Sequence, residues 1–225
     1  VGWCGQVLVT GLIAFDQLAT LDCDGARSAF REQFALREPW PVVLFAGQIE
    51  RTLEVLRETV RALNALEQPV YFLPRRHYRM PMVAPDDAVC FPEAAASFKN
   101  GLLVETNHLS VAELNPQTII ASSEVVCGMF STDLIIGAHL SKEVISVLYP
   151  EVGLAEWRRI TGLNDFPLLE LGCAERAAAY PELVFALDRA TTCGFGLATA
   201  QKEKLPCDGR SAERVVAAIT GLLQK

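Results

Sequence analysis

No apolar stretch in this 225-residue chain approaches the length of a membrane span; runs such as 42–46 and 134–138 are far shorter than the ~20 residues that cross hydrocarbon. A transmembrane segment is therefore not expected. Positive charge is in deficit, with 20 Lys and Arg against 27 Asp and Glu and a formal net charge of −7. Such a chain lacks the basic surface that releases counterions from a nucleic-acid backbone or holds an anionic bilayer, so neither is expected as a partner. The seven cysteines are odd in number and include no C-x-x-C pair and no Cys/His cluster at zinc spacing, which argues against a metal site. Cys90 and Cys127 sit in strand-like apolar runs, where a thiol behaves as a small hydrophobe. All seven read as reduced thiols of a cytoplasmic protein.

Other absences narrow the chemistry. A nicotinamide enzyme of Rossmann type predicts G-x-G-x-x-G after a strand; the near match, Gly194-Phe195-Gly196, lacks the third glycine and follows a helix-like segment. A serine hydrolase predicts G-x-S-x-G at a strand-to-helix elbow. Gly128-Met129-Phe130-Ser131-Thr132 lacks that spacing, and none of His77, His108 and His139 can be placed beside Ser131 from sequence. The opening Val1-Gly2-Trp3-Cys4 has neither the basic region nor the cleavage site of a signal peptide, and it carries no initiator Met. No internal repeat or low-complexity tract is present.

What is present is a globular composition, 51% hydrophobic and 21% charged, in a chain long enough for one real core. The reading is a single Rossmann-like domain over 1–225, with an opening segment and helix over 1–40, an α/β core over 41–208 and a C-terminal helix over 209–225. Strands are predicted at 6–10, 42–46, 70–73, 102–105, 124–128 and 144–148. Helices are predicted at 27–38, 48–66, 110–122, 132–140, 152–161, 173–179, 181–190 and 211–223, with a short run at 167–171. In 48–66 the residues Ile49, Leu53, Leu56, Val60, Leu63 and Leu66 recur at three- and four-residue steps, the stripe of a helix lying on a sheet. Near-continuous apolar strands separated by such helices indicate a doubly wound, mostly parallel sheet covered on both faces. Ligands of such sheets bind outside the carboxyl ends of the strands.

Three loops fall there. Gly128-Met129-Phe130-Ser131-Thr132-Asp133 joins a strand to a helix. Its hydroxyls, free N–H groups and helix dipole suit a phosphate, but Ser or Thr is also an ordinary N-cap worth ~1 kcal/mol. Arg75-Arg76-His77 follows a strand; it reads either as diphosphate neutralisation with a proton-exchanging His or as a solvated basic loop. Phe45-Ala46-Gly47-Gln48 reads either as close backbone approach to a ligand, with Gln48 opening a helix, or as a plain strand-to-helix turn.

The order of these segments resembles a family. Many GT-B glycosyltransferases, and the related UDP-N-acetylglucosamine 2-epimerase-like proteins, open their C-terminal domain on a segment like VTGxPxFDxL, to which Val9-Thr10-Gly11-Leu12-Ile13-Ala14-Phe15-Asp16-Gln17-Leu18 is similar. A strand ending in Gly47-Gln48 follows, and then an R-x-H-P loop, matched by Arg75-Arg76-His77 with Tyr78 in place of Pro. A block like aDvVvgmfSTxLxEAxLxGkPvIS resembles the chain from Ser123 through Ser131-Thr132-Asp133-Leu134 to Val144-Ile145-Ser146. The close resembles DGxAAERVaxAIxxLL, here 208–223.

The resemblance implies one half of a GT-B fold that holds a nucleotide-sugar donor, as substrate and with no cofactor. Carried over position by position, Ser131 and Thr132, with Phe130 beside them, would contact phosphate. Arg75 and His77 would lie near the diphosphate or the transferred sugar, with His77 as the candidate catalytic group, and Gly47 and Gln48 would border the same cleft. The chain departs from the pattern at Ile136 and Gly137, where the family has Glu and Ala, so no ribose acid is implied there. Ser141 and Glu143 likewise replace the Gly and Pro before the next strand. The acceptor site and the usual base belong to an N-terminal domain, for which 225 residues leave no room. We therefore expect a donor-binding half, completed by a domain removed from it or supplied by a partner subunit. A non-catalytic domain that kept the fold for binding or assembly remains the second class.

Overall fold

The computed structural model describes residues 11–105 and 115–223. The strand predicted at 6–10 and the first part of the helix predicted at 110–122 lie outside the described residues. The chain divides into two compact units, one of 22–205 and one that joins 1–21 to 206–225.

The larger unit is a six-stranded, wholly parallel sheet. Helix α1 (Cys23–Gln33) is N-capped by Asp22, whose carboxylate accepts the Gly25 N–H at 2.9 Å. There follow β1 (Val42–Ala46), α2 (Thr52–Leu63), β2 (Val70–Arg75), the single turn α3 (Met80–Val83), α4 (Pro85–Ala96), β3 (Gly101–Leu103), α5 (Pro116–Ser122), β4 (Val125–Gly128), α6 (Thr132–His139) and β5 (Glu143–Val147). A π-helical turn leads into α7 (Ala155–Thr161), then α8 (Pro167–Glu170), β6 (Glu175–Ala177), α9 (Tyr180–Thr192) and α10 (Ala198–Lys204). The strand order is β3-β2-β1-β4-β5-β6. The doubly wound α/β expectation is borne out.

The central place of β1 and β4 matches the sequence pattern. β1 and β4 are buried along their whole lengths, as a strand covered on both faces must be. Right-handed crossovers then place helices on opposite faces on either side of the β1/β4 pair. Helix α2 packs against α4 and α9, whereas α1, α5, α6 and α10 form a second contiguous set. Of the six stripe residues, Leu53, Leu56, Val60 and Leu63 are buried on α2, whereas Ile49 precedes the helix and Leu66 follows it. Each such side chain contributes ~1.5–3 kcal/mol of transfer free energy.

Several expectations require correction. Gln48 does not open a helix: α2 starts at Thr52, whose hydroxyl accepts the Gln48 N–H at 2.5 Å, and Arg51 before it adopts a left-handed φ of 55°. The strand-like run around Cys90 is the middle of α4, with Pro85 at its start and Asp86 and Asp87 in its first turn. Those are favourable N-terminal residues for a helix, and a short apolar run by itself does not separate strand from helix. The helix predicted at 173–179 is instead the edge strand β6. Ala, Glu and Arg are good helix formers, but pairing of Glu175, Arg176 and Ala177 with Ile145, Ser146 and Val147 overrides that preference.

The smaller unit is mainly helical where it is described. A 3₁₀ helix, Ile13–Thr20, meets α11 (Ser211–Leu223).

Candidate functional site

β1 and β4 are neighbours, and the chain leaves them toward opposite edges of the sheet. This is the switch point at which the loops splay and a crevice opens. Gly47 follows β1, Arg75 ends β2, and Phe130-Ser131-Thr132 follows β4. Together they line a single cleft of about 410 Å³. All seven residues expected at the site, Gly47, Gln48, Arg75, His77, Phe130, Ser131 and Thr132, are on its wall.

Backbone approach fixes the floor. The Gly47 N–H donates to the Arg75 carbonyl at 2.8 Å, and a Cβ on Gly47 would stand 2.7 Å from that same oxygen. Gly128 is as constrained, since its Cβ would meet the Ala46 carbonyl at 2.5 Å. The glycines let β1, β2 and β4 end close together.

Ser131 is the N-cap of α6: its hydroxyl accepts the Asp133 N–H at 3.2 Å. The capping reading thus holds, and it leaves the neighbouring Thr132 hydroxyl without a hydrogen-bond partner among the described residues. Phe130 is half-buried and packs on Trp157, with ring centroids 5.3 Å apart. His77 stacks on Tyr78 at 4.7 Å, and its Nδ1 accepts the Arg79 N–H at 3.1 Å. Burial, followed by the positive charge of Arg79, lowers the His77 pKa from its ordinary value; Asp133 opposes the shift and Arg75 adds to it. The shift favours the neutral ring, which has Nδ1 in use and Nε2 left for proton exchange.

Three further wall residues, Arg76, Tyr78 and Asp133, were not among the expected site residues. Arg76 donates to the Ala88 carbonyl at 3.1 Å. The consequential one is Asp133. It forms an ion pair with Arg75 across the cleft, and their side chains are only 15% and 28% exposed. The signal for Asp133 was the acid beside Ser131-Thr132; its partner lies 58 positions away, beyond the reach of any local pattern. Ile136 is buried and is not on the cleft wall. Among the described residues no group of three or more His, Cys, Asp or Glu is placed to hold a metal ion, and no helix is long and apolar enough to cross a membrane.

A parallel sheet in this order, with a cleft at its switch point, defines a Rossmann-like α/β domain, a fold that one half of a GT-B protein also has. Solved structures agree. The wall teichoic acid polymerase TagF is similar to this chain at 12% identity and a TM-score of 0.59, over 96% of this chain and 51% of that one. A glycosyltransferase from Rickettsia africae is similar at 11% identity and a TM-score of 0.52, over 91% and 54%. The N-terminal domain of a trehalose-6-phosphate phosphatase from Candida albicans gives 10% identity and a TM-score of 0.54, over 92% and 48%. The chain spans about half the length of these structures. At such identities the likeness is one of fold. No protein-family model and no curated protein sequence matches the chain.

Proposed function

We propose that this chain is the donor-binding half of a glycosyltransferase-like enzyme, and that the cleft at the ends of β1, β2 and β4 takes a nucleotide-sugar. The observation that carries this reading is the convergence of Arg75, the Ser131 and Thr132 hydroxyls and the start of α6 on one cavity of about 410 Å³. Hydroxyls, backbone N–H groups and a guanidinium are the donors a diphosphate requires. In glycosyl transfer the bond from the anomeric carbon to the phosphate oxygen breaks with its electron pair left on that oxygen. The acceptor hydroxyl forms the new bond and gives up its proton. Groups already aimed at the departing phosphate stabilise that charge without a metal. The acceptor and the base that takes its proton belong, in this reading, to a second domain or a partner subunit.

A second reading has an observation of its own. Asp133 is the one carboxylate among the described residues of the wall, and it is tied to Arg75, while Ile136 is an apolar core residue. A domain that binds a nucleotide without transferring its sugar fits these facts, and a nucleotide-sugar 2-epimerase-like role would use the same cleft.

Thermal-shift and calorimetric titration of this chain with UDP, GDP, CMP and TDP tests the binding claim common to all three. Stabilisation by at least one of them at millimolar concentration is expected. Silence across the panel overturns the donor reading.

A further inference from the structure

We propose that Asp133 sets the charge of the ligand that the cleft retains, favouring phosphodiester-linked groups over terminal phosphates. The inference rests on the donor reading above and deepens it.

Asp133 stands at the second position of α6, with its carboxylate paired to the Arg75 guanidinium on the opposite wall and largely shielded from water. Its own N–H is taken by Ser131, and its place next to Thr132 puts it among the groups that would hold a phosphate. An anion entering here must share Arg75 with a carboxylate that is already present. Arg76 faces the same cleft, with part of its guanidinium on the Ala88 carbonyl.

This arrangement discriminates by charge. Each phosphorus of a diphosphate diester bears one formal negative charge, whereas a terminal phosphate, with its second pKa near 6, bears close to two at neutral pH. Repulsion from a fixed, partly buried carboxylate grows with the ligand's charge and is weakly screened at short range. The extra charge of a free nucleoside diphosphate is therefore penalised relative to its sugar ester. In the proposed reaction that extra charge appears when the sugar leaves, so Asp133 favours the incoming donor over the spent nucleotide.

Calorimetric titration of the full chain with UDP and UDP-glucose, and with GDP and GDP-mannose, provides the test. The unmodified chain is expected to bind the ester at least as tightly as the free diphosphate. In Asp133→Asn, and in Asp133→Ser as a second uncharged variant, affinity for the diphosphate is expected to rise by about tenfold and that for the ester by less than about threefold. An unchanged ratio overturns the inference and leaves the donor reading intact. A fall in affinity for both ligands also overturns it, since Asp133 would then serve to position Arg75. A preference of the unmodified chain for the free diphosphate overturns it without any variant. Silence of the unmodified and altered chains toward every ligand removes the donor reading and this inference with it.

Discussion

The carboxylate of Asp16 accepts the backbone N–H groups of Ser211 and Ala212, at 3.0 and 2.9 Å, from 195 and 196 positions away in the chain. It thereby caps α11 in place of a local side chain, satisfying two of the four N–H groups that a helix start leaves unpaired. The Ala212 N–H, then the Ser211 hydroxyl, hold the Asp16 carboxyl below the usual carboxylate range. A depressed pKa stabilises the fold above the ordinary carboxylate value, and that stability is lost as pH falls through the lower folded value. Asp16→Asn is expected to speed amide exchange at Ser211 and Ala212 at neutral pH and to abolish the acid dependence of that exchange. Unchanged protection of both amides would show that the cap is dispensable.

Gly47→Ala places a methyl 2.7 Å from the Arg75 carbonyl, and Gly128→Ala places one 2.5 Å from the Ala46 carbonyl. Both obstacles are backbone and cannot rotate aside. Each substitution is expected to cost about 1–3 kcal/mol in urea denaturation, the usual range for overpacking, and to spread the floor of the cleft. Unaltered midpoints would contradict the close approach of the three strand ends.

Ser131 and Thr132 separate two roles. Ser131→Ala removes the α6 cap and should cost ~1 kcal/mol even without ligand. Thr132→Ala removes a hydroxyl with no partner among the described residues, so its melting temperature should hold while nucleotide affinity falls. Equal binding by the parent and Thr132→Ala would remove Thr132 from the ligand's surroundings.

His77 should titrate below an ordinary imidazole when followed by NMR, with burial as the main cause and Arg79 next. Asp133 opposes that shift, so Asp133→Asn is expected to lower the His77 pKa further, and Arg79→Gln to raise it. Because the folded state resists protonation of His77, its contribution to stability is present above the unfolded pKa and is lost as pH falls through the folded one. A His77 ring that titrates at its ordinary value in both variants would contradict this arrangement of charges.

Burial pushes the Cys127 thiol up to about 12, whereas Cys193 is exposed. Since the thiolate is the reactive form, iodoacetamide at neutral pH should modify Cys193 in the folded chain and reach Cys127 only after denaturation. Mass mapping of the labelled peptides reads this directly.

The alternation of apolar strands and striped helices, hence the parallel sheet and the three loops where a ligand would sit, is legible along the chain. These are local matters: a buried strand needs an unbroken apolar run, a helix on a sheet needs a stripe, and a strand-to-helix turn needs Gly or a capping hydroxyl. Gly47, Ser131 and Thr132 carry those signals in their immediate neighbours. Whatever depends on distant partners is settled by the fold. The segment around Glu175 has helix-forming composition, yet the free edge of β5 makes it a strand. Asp16 reads as one acid in an opening motif, and α11 gives it its use. Asp133 reads as the residue after Ser-Thr, and the end of β2 sets Arg75 opposite it. Periodicity encodes which face of an element is buried, but ion pairs and caps across the fold form between groups whose separation in sequence carries no trace of their separation in space.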